Sequence, residues 1–489
     1  MQHEGQKTAD KPARAPGKLM TGPGHAPGKP TARRLASLGL GIAVIAAFAA
    51  LPTPDGLGFA GKMALSLLVA GLALWVLEPI PIAITALGLM VLMPAFGILD
   101  FGGVWAGFIS TVIFFTIATF GLTAALLKTQ VPIKMVSVLL RLTKGRPRLV
   151  VLAFMASAFL FSCFMSDLAC TAMFAGIAMN SFLAIQKAQP GRSDLGKMIM
   201  IGVAYGSVIG GQAIPSGSSM NIMAMGMLAA NTGIEISFLG WSMVCFPIAV
   251  LELLLAWLSL VVFFRPEAVS PCALEAIRKN AQEIRLNAFD WKVLCILFLV
   301  FSCWFASNWT GWDTTAIAVF ALVLFFVPGL DILTWKEFNK AVAWNLIVLV
   351  GGVQSLAAGI REQGAASWLF NATIGKLAAG SGAMLAASAA FAPLLRMCIP
   401  VGPAFVALFL IPLTGMADSL GVSAAALAII VGVNASTCFM LPIDNNTMLT
   451  HRGGFWKMAD VVKAGIIPTI GLMVLHMSLL GPLVALAGY

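Results

Sequence analysis

Charge is what this 489-residue sequence has least of. Asp, Glu, Lys and Arg make up 10% of it against 60% hydrophobic residues, and the mean hydropathy is +0.95. Soluble domains carry about 25% charged residues, so a soluble globular class is excluded. The eight cysteines lie scattered through apolar segments without metal-ligand or disulfide spacing. Their expected role is packing, as small core residues. Walker A, H-E-x-x-H and G-x-S-x-G patterns are missing, which leaves an ATP-driven pump or a hydrolase without support. Neither an enzyme nor a cofactor is expected, a sodium ion aside.

The net charge of +10 does not call for nucleic acid. Seven Lys/Arg fall in the first 34 residues, where only Glu4 and Asp10 oppose them among Pro, Gly and Ala. Such a stretch cannot bury apolar surface and reads as a disordered tail, held in the cytoplasm by its charge. "ARRLASLGL" has the look of a twin-arginine or secretory signal, but no A-x-A-like site precedes a polar start, so no cleavage is expected.

What the chain does have is apolar runs of bilayer length, at 35–51, 58–77, 80–98, 104–127, 198–228 and 236–264. The reading is an all-α polytopic protein of the inner (plasma) membrane, with the lipid bilayer as its first partner. Between them, 149–186 is flanked by Lys128, Lys134, Arg141, Lys144, Arg146 and Arg148 on one side and by Lys187, Arg192 and Lys197 on the other. Two basic flanks put both ends in the cytoplasm. The two apolar arms are broken at Ser166-Asp167, so the expected shape is a re-entrant hairpin with its tip at depth.

After a charged connection at 265–292, the pattern repeats over 293–489. "DFGGVWAGFISTVIFFTIATFGLTAALLKT" (100–129) has a counterpart in "TWKEFNKAVAWNLIVLVGGVQSLAAGIREQG" (334–364). Trp105 precedes Ser166 by 61 residues, and Trp344 precedes Gly402 by 58. Around Gly402, "AFAPLLRMCIPVGPAFVALFLIPL" is a second pair of arms, at about 379–420, broken by Pro400, Gly402 and Pro403. Its far side, "TGMADSLG", has no basic residue, which suggests an opening on the opposite face. Two broken hairpins of opposed orientation, in halves 35–264 and 293–489, mark an inverted-repeat secondary transporter. A kinked ordinary helix is the alternative for the Pro/Gly break.

Two further interruptions, "AYGSVIGGQAIPSGSSMNIMA" (204–224) and "VNASTCFMLPIDNNTMLTH" (433–451), offer amides, hydroxyls and helix N-termini to anions and carbonyls to Na⁺. Together with "EPIPIAITALGLMVLMPAFGIL" and "LTKGRPRLVVLAFMASAFLFSCFMSD", these runs resemble the divalent anion:sodium symporter family over nearly all of residues 60–489. The resemblance implies carriers of dicarboxylates, citrate or sulfate that work as homodimers, with a transport domain moving against a scaffold in elevator fashion. It also implies Ser-Asn-Thr at each hairpin tip. This chain departs there, with Ser166-Asp167-Leu168 at the first and Gly402-Pro403-Ala404 at the second. Ser162, Ser166 and Gly217 match the family's first sodium-site positions, and Asp444 replaces a backbone-carbonyl position after "LP".

An unpaired carboxylate at bilayer depth costs about 2.5–3.5 kcal/mol on insertion scales, so Asp167 and Asp444 point to a bound cation, sodium or a proton. Arg396 either binds the substrate carboxylate in fork geometry or pairs with one of the two acids. Ser218, Ser219, Asn221, Asn445, Asn446 and Thr447 are the expected substrate donors, between the tips formed by Ser166, Asp167, Leu168, Gly402 and Pro403. His451 and Arg452 read as interface residues. The leading expectation is a secondary carrier of di- or tricarboxylate-like anions coupled to sodium or protons. A cation/proton antiporter on the same scaffold and a membrane-embedded anion sensor are the alternatives.

Overall fold

The computed structural model describes residues 32–365, 367, 368, 381–399 and 401–489. The basic tail to residue 31, the start of the second hairpin at 379–380 and Pro400 lie outside that set. The described residues are helical, without a strand, and seven helices are long and apolar enough to cross a membrane.

The first half runs α1 (Ala32–Ala50), α2 (Phe59–Leu77), α3 (Ile82–Ala95), α4 (Phe101–Ala106), α5 (Thr111–Leu127) and α6 (Val131–Leu142). It continues with α7 (Pro147–Ser162), α8 (Asp167–Ile177), a π turn (Ala178–Leu183), α9 (Ala184–Gln186), α10 (Asp194–Ala213), α11 (Ser219–Thr232) and α12 (Phe238–Phe263). The stretch expected as a plain connecting loop holds a helix, α13 (Pro271–Glu283), which packs on α6. The second half runs α14 (Ala288–Thr310), α15 (Thr314–Leu324), α16 (Trp335–Ala341), α17 (Trp344–Glu362), α18 (Ser381–Cys398) and α19 (Gly402–Leu420). It ends with α20 (Ala424–Ser436), α21 (Asn445–His451), α22 (Met458–Leu475), a π turn (His476–Leu480) and α23 (Gly481–Leu486).

Local chemistry fixes many of the starts. Ser193, Ser237 and Asn287 each accept a bond from the backbone N–H three residues on, satisfying one of the helix's orphan donors. Gly233 and Gly311 close α11 and α14 with φ of 74° and 68°, a conformation that costs glycine little.

The expected span 104–127 is broken in two. Gly107 lies so close to α17 that a Cβ there would sit 2.5 Å from Ser355 Oγ. The same short-then-long arrangement recurs in α16 and α17, as the paired motifs at 100–129 and 334–364 foretell. The two pairs cross reciprocally. Ser355 on α17 donates to the Val104 carbonyl of α4, while Lys128 at the end of α5 pairs with Glu337 on α16 at 2.9 Å.

Helix α12, with 26 residues about 39 Å long, serves as a yardstick for the hairpins. Its C-terminal end meets both feet of the first. Trp257 donates to the Arg148 carbonyl at the start of α7, and the Gln186 amide on α9 bonds Ala268 and Ser270. The chain from 147 to 186 therefore returns to the end it left. The foot of the second hairpin is elsewhere: Leu385 on α18 lies against Gly481, and Tyr489, eight residues on, bonds Ser237 at the start of α12. The hairpins open toward opposite ends of the same helix.

Glycines hold the first hairpin in place. Gly202, Gly206 and Gly210 recur every four residues and so line one face of α10. A Cβ at Gly206 would lie 2.4 Å from the Met155 carbonyl, and one at Gly210 would lie 2.1 Å from that of Phe159. Helices α7 and α10 thus meet backbone to backbone, the close approach that small residues permit between membrane helices.

Candidate functional site

A cavity of about 330 Å³ lies where the hairpin tips and the two unwound stretches meet α2, α3, α5 and α17. Its defining feature is the direction of four helices. The first turns of α8, α11, α19 and α21 all line it, through Asp167-Leu168, Ser219-Met220, Gly402-Pro403 and Asn445-Asn446. Each helix N-terminus presents unpaired N–H groups and a partial positive charge. Their convergence makes a ready anion site.

Arg396 adds a full positive charge. It is 2% exposed, and its guanidinium donates to the Ala435 and Ile399 carbonyls at 3.1 and 2.6 Å. Among the described residues it makes no ion pair, so the expectation that it pairs with Asp167 or Asp444 is corrected. Two backbone carbonyls orient the side chain and leave the rest of the fork to the cavity, which it lines.

Oxygen atoms gather under the first tip. Helix α7 ends at Ser162 and α8 begins at Asp167, so the break spans residues 163–166, with Asp167 opening the returning arm. Gly211 marks the meeting point: its missing Cβ would lie 3.1 Å from the Asp167 side chain, 3.2 Å from the Gly217 carbonyl and 3.4 Å from Ser162 Oγ. Ser162 Oγ is buried without a hydrogen-bond partner, and a group of that kind needs one. A carboxylate, a carbonyl and an unpartnered hydroxyl around one point form a hard, all-oxygen donor set suited to a small cation. Among the described residues there is no His/Cys/Asp/Glu cluster of the kind that holds a transition metal.

Asp167 itself is tethered. One oxygen accepts from the Leu168 N–H at 2.8 Å and the other from Asn446 Nδ2 at 3.4 Å, while Thr171 donates to Asn446 Oδ1 at 3.0 Å. Asn446 therefore orients the acid from the second unwound stretch, more than it offers donors to a substrate. The Ser166 N–H donates to Thr123 of α5, tying the tip to the opposite wall. Asp444 opens α21 without capping it, and its Oδ2 is buried and unpartnered. Ser218 is hydrogen-bonded to Ser436 at 2.8 Å, which links the two unwound stretches.

Two expected donors are not in the cavity wall. Asn221 is turned inward, where its Nδ2 clamps the Gly211 and Ile214 carbonyls at 2.8 and 3.1 Å. Thr447 is spent on the Asp444 carbonyl. His451 stacks at a tilt on Trp456. Two acids in and near the site were missed. Glu78 lines the cavity from the end of α2. Glu252 on α12 is fully buried and accepts from Gln212, the neighbour of Gly211. Neither stands in a recognisable motif.

Residues 32–484 match the profile of the family described as the sodium:sulfate symporter transmembrane region. The chain belongs to this family, the divalent anion:sodium symporters. It is 28% identical over 344 residues to a sodium-dependent dicarboxylate transporter, SdcS, of Staphylococcus saprophyticus, covering 65% of each chain. It is 24% identical over 337 residues to the sodium-dependent high-affinity dicarboxylate transporter 3 of Caenorhabditis elegans, covering 59% of this chain and 60% of that one. The match thus spans about two thirds, or somewhat less, of these relatives. The YdaH transporter of Alcanivorax borkumensis, solved by crystallography, superposes with a TM-score of 0.55 at 14% identity, over 94% of this chain and 99% of that one. That likeness supports the fold alone. As a symporter-family member, the chain is a multi-pass membrane transporter and not an enzyme. Within the family it keeps the serines and glycine of the cation position and places Asp167 where the signature has an amide.

Proposed function

We propose that the protein is a secondary active carrier of small dicarboxylate-like anions, coupled to sodium. One observation carries the reading: four helix N-termini and the buried Arg396 converge on a cavity that also holds three carboxylates, Asp167, Asp444 and Glu78. With all three ionised against one guanidinium, the formal side-chain charge of the cavity is already −2. A dicarboxylate brings two more negative charges, so binding it requires cations to enter with it. The helix ends and Arg396 favour the anion, while the Ser162, Asp167 and Gly217 oxygens favour the cation.

The relatives' printed activities support this assignment of substrate and ion. Sodium is favoured over a proton at Asp167 because Ser162 Oγ and the Gly217 carbonyl would join the acid around one centre; a proton needs only one oxygen. In this reading α2–α5 and α14–α17 form the scaffold. The hairpins, α10–α12 and α20–α22 form the moving part, and the carrier works as a homodimer. Asp444 and Arg396 sit with the anion, and Ser218, Ser219, Gly402, Pro403 and Asn445 provide its remaining wall.

The test is uptake of labelled succinate, citrate or sulfate into proteoliposomes with and without an inward sodium gradient. Sodium-driven uptake of a dicarboxylate supports the proposal. Uptake driven only by a proton gradient replaces the coupling ion. Cation exchange without anion flux, or anion binding without flux, overturns the proposal in favour of an antiporter or a sensor.

A further inference from the structure

Away from the transport cavity, a second pocket of about 460 Å³ opens at the foot of the first hairpin. Its wall consists of Arg146, Arg148 and Arg265 with Trp257, backed by Pro147, Leu149 and Pro266. None of the three arginines makes an ion pair among the described residues. Three like charges held around one hollow repel one another unless an anion sits among them.

We infer that this pocket binds the phosphate headgroup of an anionic phospholipid, with the acyl chains lying along α12. The apolar surface beside it argues for a lipid over a free ion. Leu251, Leu254, Leu258 and Val262 form a stripe on α12, each between 41 and 59% exposed, and it runs directly up to the pocket. Met243 and Phe246, also exposed, extend it toward the other end of the helix. From residue 243 to 262 the stripe is about 29 Å long, close to the roughly 30 Å of a bilayer's hydrocarbon core. A charged hollow at one end of such a stripe matches an amphiphile, head and tail.

Trp257 strengthens the match. Tryptophan gathers at the bilayer interface, and here its indole N–H is spent on the Arg148 carbonyl, which fixes the ring between α12 and the hairpin foot. Clustered basic side chains at the cytoplasmic face attract anionic lipid, each worth roughly fivefold in binding near the surface. The occupied pocket would bridge Arg146 and Arg148 at the start of α7 to Arg265 just past the end of α12. A bound lipid would thus brace the hairpin foot.

The test uses the full chain, purified in detergent, with phosphatidylglycerol or phosphatidylcholine added, and reads bound lipid by native mass spectrometry and melting temperature. The expected result is one or more tightly bound phosphatidylglycerol molecules per protomer and a higher melting temperature, with no such effect of phosphatidylcholine. The variant R146Q/R148Q/R265Q should lose roughly a hundredfold in phosphatidylglycerol affinity. K144Q/K187Q/R192Q removes equal charge from the same side without touching the pocket and should keep the wild-type response. If the first variant does not fold, Arg265→Gln alone, with an expected loss of about fivefold, takes its place. Equal losses in the pocket and control variants would show only a general charge effect and overturn the site. Equal stabilisation by inorganic phosphate or succinate would make it a soluble-anion site and overturn the lipid assignment.

Discussion

At the first hairpin tip, the returning helix opens with a carboxylate, and the surrounding oxygens of Ser162 and Gly217 lack protons to give to an anion or are already turned toward a common point. At the second, the returning helix opens with Gly402, and the charge nearby is the guanidinium of Arg396. The backbones are alike: in each, a helix N-terminus faces the same cavity. Symmetry of the fold thus supplies the same dipole twice, while side chains divide the work, with the cation drawn to one tip and the anion to the other. The pairing also accounts for the weak tip signature, because donors lost from the side chains remain available from backbone N–H groups.

The difference between the tips is open to direct attack. The largest effect should come from packing. Gly210→Ala would push a methyl into the Phe159 carbonyl, a backbone atom that cannot yield. The expected cost exceeds the ~1–3 kcal/mol usual for overpacking, and folded yield should collapse. Gly402→Ala meets the Ala435 carbonyl and the flexible Met220 thioether at 2.9 and 3.0 Å, and should cost only ~1 kcal/mol. Thermal melts of the two variants check the contrast.

Next in size is Arg396→Gln. Losing a charged partner should weaken anion binding by about 1.5–3 kcal/mol, ten- to a hundredfold, with sodium binding little changed. Arg396→Lys should rescue poorly, since an ammonium cannot span two carbonyls and a ligand as a planar fork does. Calorimetric titration with each solute separates the two affinities. Asp167→Asn should do the reverse, holding anion affinity at saturating sodium within a few-fold while changing sodium affinity and the charge moved per cycle. Electrogenic uptake in proteoliposomes reads it, and identical charge stoichiometry in both proteins would refute the assignment of the cation to the first tip.

The smallest effect concerns the scaffold. The hydrogen bond from Lys128 holds the Glu337 carboxyl below the ordinary carboxylate range. A lowered folded-state value stabilises the protein at pH above the unfolded value of about 4.3, and that gain is lost as pH falls through the folded one. Glu337→Gln should therefore lower the melting temperature slightly at neutral pH, and the gap to wild type should close in acid. The pair is exposed and screened, so the shift should be small.

Much of this was legible in the sequence because bilayer physics leaves few options. Basic flanks on both sides of 149–186 fixed the sidedness of the first hairpin, and Pro/Gly at 400–403 marked the second break. Charged residues within apolar arms, Asp167, Asp444 and Arg396, could only face a cavity or one another. What could not be read was rotation. Asn221 and Thr447 lie in polar stretches that do border the cavity, yet their side chains turn to backbone carbonyls. Composition alone does not say which way an unwound residue faces. Glu78 was passed over for a related reason: it ends α2 in a left-handed conformation with φ of 43°, and that turn directs it to the cavity.

The glycine ladder between α7 and α10 carries a consequence for which ion is admitted. Ser162 is the last residue of α7, and Gly211 follows the final rung at Gly210. The gap between the Ser162 hydroxyl and the Gly217 carbonyl is therefore gauged by main chain touching main chain, with no side chain to flex. Such a gauge has little give. An ion of larger radius must pry apart two helices to gain its oxygens, so discrimination between sodium and potassium here is a property of backbone contact two turns away from the ion.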